Sequence, residues 1–190
     1  MTYFDTNEFL FVTMPYDMGG GSFDNGQIFV LNGTTHLVIQ TMFTSLNPRF
    51  LVPSFSGAEI AFYAICAGDQ DSVFGKVDFF TDTGPKTGTA DIGGNPEFFA
   101  VDSGKLFIGD ASAPNIYLIA LGTDDVVRDG GNPIVLPSGG AVTAMAAEPT
   151  SATIFVGNDE GTVFALDSDT ETFGDDFDFG SYDIVSIRTW

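Results

Sequence analysis

The chain has 190 residues, 26 of them acidic and 6 basic, for a net charge of −20. Hydrophobic residues make up 44%, with 20 Phe among them, so the chain can bury a core and its acid does not mark a disordered tail. A charge this negative repels a phosphate backbone and excludes nucleic acid as a partner.

In chain order the sequence reads as short strands that repeat. Asn47-Pro48-Arg49-Phe50 returns as Asn95-Pro96-Glu97-Phe98, 48 residues later. Lys105-Leu106-Phe107-Ile108-Gly109-Asp110 returns as Thr153-Ile154-Phe155-Val156-Gly157-Asn158, again after 48. A period in the forties, built of short strands and Gly/Asp turns, predicts propeller blades.

The first unit, about 8–46, has a second strand from Glu8 to Met14 and a loop at Gly19-Gly20-Gly21-Ser22. Its third strand is predicted from Gln27 to Leu31 and its outer strand from Leu37 to Phe43. No inner strand is predicted before Glu8. The second unit, about 47–94, has strands from Phe50 to Pro53, Glu59 to Ala67, Val73 to Phe80 and Thr87 to Ile92. The third, about 95–140, has Phe98 to Val101, Lys105 to Gly109, Ile116 to Leu121 and Pro133 to Leu136. The fourth, about 141–183, has Val142 to Ala147, Thr153 to Gly157, Thr162 to Leu166 and Phe173 to Phe179. These runs are β-branched or aromatic and are bounded by turn residues.

After the fourth unit, Ile184 to Arg188 takes the place of one more inner strand. Residues 184–190 are therefore expected to complete the first blade, which would remove an open sheet edge. The expected fold is one all-β domain, 1–190, a four-bladed β-propeller closed by its C-terminal strand.

Thr153 to Asp167, with its strand–Gly–polar–Asp–x–Gly–strand–Ala–Leu–Asp order, resembles the blade of quinoprotein-type (PQQ-type) propellers. The resemblance covers about one blade and implies a fold. It implies no cofactor, because those enzymes use a larger ring and metal-binding acids, and often an adjacent-cysteine disulfide.

Chemistry-bearing residues are few. The single cysteine, Cys66, lies in the apolar run from Ile60 and reads as a buried thiol. The single histidine, His36, reads as a turn residue, and no Gly-x-Ser-x-Gly elbow accompanies it. Asp167 with Asp169, and Asp175 with Asp176 and Asp178, are the calcium candidates, set against ordinary Asp-rich turns. With 20 Asp against 6 Glu, turn chemistry accounts for most of the acid.

Phe177 and Phe179 alternate with Asp on the last outer strand and are the partner-surface candidates. Asp176 and Asp178 would keep that edge from pairing with other chains. The expected function is a non-catalytic structural or interaction module. It would be displayed on a virion or other extracellular surface, with a high-salt setting as a further reading, and would bind protein or glycan through its loops. The alternatives are a small hydrolase or lyase with carboxylates at the ring mouth, and a segment that assembles with another chain into a larger propeller; a homo-oligomer or assembly component is a further partner reading. No cofactor, signal peptide or membrane span is expected.

Overall fold

A computed structural model of the chain describes residues 2–4, 9–17, 23–56, 59–69, 74–81, 84–180, 182 and 184–189. Every regular element among them is a strand. The Gly19–Ser22 loop and the first residues of two predicted strands, Glu8 and Val73, lie outside the described residues.

The chain divides into two compact units, Met1–Asp91 and Ile92–Trp190. Each holds two antiparallel sheets whose strands follow one another in chain order. In the first unit, one sheet is β1 (Thr2–Phe4), β2 (Phe9–Asp17), β3 (Phe23–Asn32) and β4 (Val38–Leu46). The other is β5 (Pro48–Ser56), β6 (Glu59–Cys66), β7 (Lys76–Thr81) and β8 (Lys86–Asp91). Alternation gives each strand two faces. Phe11, Ile28, Val30 and Met42 of the first sheet pack on Leu51, Phe62, Ala64 and Phe80 of the second. Phe62 stacks on Phe80 at 4.9 Å and tilts against Phe11 at 5.0 Å. Such ring pairs each add about 1 kcal/mol beyond the area they bury.

In the second unit the third sheet is β9 (Pro96–Asp102), β10 (Lys105–Asp110), β11 (Asn115–Ala120) and β12 (Asp125–Arg128). β13 (Ile134–Val135) also pairs with β11. The fourth sheet is β14 (Val142–Ala147), β15 (Thr153–Asn158), β16 (Thr162–Asp167) and β17 (Thr172–Asp178). Phe107, Ile116 and Leu118 of the third sheet form one core with Ile154, Val156, Phe164 and Leu166 of the fourth.

A polar network reinforces that core. Lys105 Nζ donates to Glu171 at 3.2 Å and to the Ser168 carbonyl at 2.8 Å. Arg128 Nε donates to the second oxygen of Glu171 at 2.9 Å. The Ser168 hydroxyl donates to Asp102. All four contacts join the third sheet to the outer turn of the fourth.

Two expectations are corrected. The first sheet carries its own inner strand, β1, in register Thr2↔Phe11 to Phe4↔Phe9. Residues 184–189 form no strand and do not complete that blade. They run along the fourth sheet instead. The reason is local: the bare backbone of Gly157 makes a seat, and a Cβ there would lie 2.5 Å from Ile184 Cγ2. Thr143 Oγ1 donates to the Ile184 carbonyl and Thr189 Oγ1 to the Ala147 carbonyl, at 2.5 and 2.7 Å. The third sheet's outer position is also split. β12 pairs with Leu118 to Ala120, and β13 pairs with Asn115 and Ile116.

Candidate functional site

Two predicted site residues, Phe177 and Phe179, fall together in the structure. Phe177 lies opposite Val163, which lies opposite Gly157 on the next strand. Ala165 lies opposite Phe155. These side chains therefore share the sheet face that points away from the third sheet. Phe177 is 52% exposed and Phe179 57%. Residues 184–189 form the far wall of a groove of about 460 Å³ over this face. Its lining is apolar (Phe155, Val163, Phe177, Phe179, Ile184, Ile187), with Ser186, Thr189 and Arg188 at the C-terminal side. Arg188 adds a cation to an apolar cleft in a chain with only 6 cations.

The acidic candidates stand at the end of β16, in the turn after it and along β17. Asp167 Oδ1 accepts the amides of Asp169 at 3.0 Å and Thr170 at 2.7 Å. The Thr170 amide and hydroxyl hold this carboxyl below its ordinary range. Asp175, Asp176 and Asp178 are exposed on β17, and Asp178 accepts the Gly180 amide at 2.7 Å. Among the described residues no three His, Cys, Asp or Glu side chains are grouped to hold a metal. His36 is exposed in a turn, with φ at 57°.

Cys66 is fully buried, with its sulfur 3.8 Å from Asp78 Oδ2. Burial first, and then the Asp78 charge, push its thiol well above the ordinary value. A thiol so held carries little thiolate at neutral pH and makes a poor nucleophile.

The buried acids are the residues that sequence reasoning missed. Asp78 is 0% exposed. It accepts from Ser45 Oγ at 2.8 Å, Thr89 Oγ1 at 2.7 Å and Lys86 Nζ at 3.2 Å, and also from the Ser45 amide. Ser45 lies on β4, so this carboxylate ties the first sheet to the second. Asp110 ends β10 and accepts from Tyr117, Ser112 and the Asn95 amide. Both carboxylates are occupied by donors that hold the fold. The available signal was an Asp inside the apolar run Val77–Phe80, on a strand predicted to be internal.

Comparison with solved structures identifies the fold. The chain superposes on the β-propeller domain of Myceliophteria thermophila Cps50 (Swd1) with a TM-score of 0.68 and 14% identity, over 98% of this chain and 58% of that one. Saccharomyces cerevisiae Sqt1 gives 0.62 and 12%, over 94% and 50%. BBS1N, solved in complex with ARL6DN, gives 0.62 and 11%, over 84% and 48%. The fold is a β-propeller, and its four meanders are its blades. The chain spans about half the length of these matched chains. No protein-family model and no curated protein matches it.

Proposed function

We propose that this protein is a non-catalytic protein-interaction module whose contact surface is the exposed face of the fourth sheet. One observation carries the reading: Phe177 and Phe179, each more than half exposed, border an apolar groove of about 460 Å³. An exposed apolar surface rimmed by polar residues marks a protein contact more often than a reaction centre. The buried acids support the same reading, because Asp78 and Asp110 are engaged by donors within the fold. BBS1N, one of the propellers it resembles, is a domain solved in a protein complex.

The chemistry of the groove defines the partner. Its walls call for aliphatic or aromatic side chains, and Arg188 calls for a carboxylate beside them. A selection of displayed peptides against the wild-type chain tests this. Apolar peptides carrying an acid should be enriched, and their affinity should fall at least roughly tenfold on Phe177→Asp, as for a central contact residue. No enrichment, or peptides that bind the variant equally well, would overturn the reading.

A further inference from the structure

The chain holds two Asn-Gly pairs, Asn25-Gly26 and Asn32-Gly33. In such a pair the glycine amide nitrogen can attack the side-chain carbonyl carbon of the asparagine, because no Cβ stands in the way. Asn25-Gly26 lies within β3, and Gly26 is buried there against the Pro48 ring, which a Cβ would strike. Asn32-Gly33 lies at the end of β3, in the hairpin turn to β4, where Thr34 and Thr35 are exposed. The His36 amide closes this turn by donating to the Asn32 carbonyl at 2.8 Å.

Three donors meet on Oδ1 of Asn32: the Thr34 amide at 3.0 Å, the Thr35 amide at 2.8 Å and the Thr35 hydroxyl at 3.1 Å. A neutral amide oxygen has two lone pairs, so this set suits an oxygen carrying more charge than Asn32 has at rest. The fourth sheet shows what such a turn holds. Asp167 ends β16 as Asn32 ends β3, and the Glu171 amide donates to the Asp167 carbonyl at 2.9 Å. His36 and Glu171, at the same place in their turns, have φ of 57° and 58°. Asp167 Oδ1 accepts the amides of Asp169 and Thr170, the counterparts of Thr34 and Thr35. One backbone turn thus carries an amide in the first sheet and a carboxylate in the fourth.

We propose that this turn is a self-modification site, at which Asn32 is converted to an acid. The Gly33 nitrogen gives its proton to a solvent base and bonds to Cγ of Asn32. Negative charge develops on Oδ1, where the Thr34 and Thr35 donors already stand. The Cγ–Nδ2 bond then breaks, and the nitrogen leaves as ammonia with a proton from water. Water opens the resulting five-membered ring at either carbonyl and leaves aspartate or isoaspartate. Aspartate reproduces the turn of the fourth sheet, so the donors that lower the barrier also hold that product. The step adds one negative charge to the −20 of the chain, near the exposed run Leu37-Val38-Ile39. It lies in the first unit and is independent of the protein-binding face of the fourth sheet.

Incubating the full chain in mildly alkaline buffer, then reading it by proteolysis and fragment-ion mass spectrometry, provides the test. Asn32 should take on the mass of an acid faster in the folded chain than in a synthetic peptide of residues 31–37. Asn25 should stay an amide over the same period. Thr35→Val keeps the amide donor and removes the hydroxyl. It should slow conversion roughly fivefold in the folded chain, the effect of one hydrogen bond made in the transition state. The same substitution in the peptide should leave its rate unchanged, which assigns the effect to the folded turn. Gly33→Ala should nearly stop conversion, because a Cβ obstructs ring closure. Slower conversion in the folded chain than in the peptide overturns the proposal, since the turn would then protect Asn32. So does an unchanged rate in folded Thr35→Val, and so does equal conversion at Asn25.

Discussion

Tyr117 donates its hydroxyl to Oδ2 of Asp110 at 2.6 Å, and both side chains are buried. Burial, followed by the bond to Asp110 and its charge, pushes the phenol above its ordinary value, so it remains a donor. The other oxygen, Oδ1, takes the Ser112 amide at 2.8 Å and the Asn95 amide at 3.2 Å, which closes the turn after β10. Gly94, at φ 58°, allows this approach, because a Cβ there would collide with Tyr117 Oη and Asp110 Oδ2. Asn158 fills the same place in the next blade. Its Oδ1 accepts the Thr162 amide at 2.8 Å, and its Nδ2 donates to the Gly139 carbonyl at 3.0 Å.

Tyr117→Phe removes the donor and leaves a buried carboxylate oxygen without it. The expected cost is about 2 kcal/mol, read as a lower urea midpoint at unchanged m-value. Asp110→Asn should cost less, since the fourth sheet uses Asn at the equivalent position. A midpoint unmoved by Tyr117→Phe would show that the bond contributes nothing net.

Asp78 carries a heavier role. Asp78→Ala strips the partner from Ser45, Thr89 and Lys86 in one step and unties the first sheet from the second. A loss of about 3 kcal/mol is expected, as when one member of a buried charged network is removed. Lys86→Met should cost under about 1 kcal/mol, because the Lys86 side chain is 35% exposed and Asp78 keeps its hydroxyl and amide donors. Equal losses for the two variants would place the energy in the ion pair rather than in the hydroxyl and amide donors. The neighbouring thiol supplies a separate readout. Cys66 should resist a thiol reagent in the native state at neutral pH and react stoichiometrically in urea.

How far the sequence revealed this arrangement depends on the kind of signal. β14 lies where it was expected, from Val142 to Ala147, because an apolar run between Gly and Pro turns is a local signal. Phe177 and Phe179 were legible as surface candidates because Asp alternates with Phe on the last strand. Asp78 was not legible as a tie between sheets. Its flanking residues are all buried, so no polar–apolar alternation separates the two faces. β1 has three residues, too few to show a period. The outer strand expected at Pro133 to Leu136 shrinks to Ile134–Val135, and Asp125–Arg128 takes most of the edge. Charged ends hid that short strand. For residues 184–188 the expected inner strand does not form, and their seat was not legible because it depends on the close approach to Gly157 in space.

Acid should weaken the second unit through Glu171. Burial raises this carboxyl, but its bonds to Arg128 and Lys105 outweigh burial and leave it below the ordinary 4.5. A folded-state value below the unfolded one means that the unfolded chain binds more protons between the two. The contribution is therefore complete above about 4.5 and is lost as pH falls through the lower folded value. Glu171→Gln removes this dependence. Melting curves from about pH 6 to pH 3 should converge for wild type and variant at the acid end. Other carboxylates titrate in both proteins, so the difference between them is the measure. A constant gap across the range would show that Glu171 does not titrate in this way.

The two equivalent glycines separate a blade junction from a terminal seat. A Cβ on Gly109 would meet Val142 and Met145 of the following sheet, which has no room to retreat within a shared core. Gly109→Val should cost about 3 kcal/mol or more, as overpacking of a tight interior does. A Cβ on Gly157 would meet only Ile184 of the terminal segment, which is held by two hydroxyl bonds and the Ile184 amide bond to the Asn158 carbonyl. Gly157→Val should release that segment and cost about 1 kcal/mol, the scale of those few bonds. Hydrogen exchange at residues 184–189 should rise sharply in Gly157→Val and stay unchanged in Gly109→Val, while thermal melting shows the reverse ranking. Equal destabilisation by the two substitutions would mean that the terminal segment is as integral to the fourth sheet as a neighbouring blade is to the third.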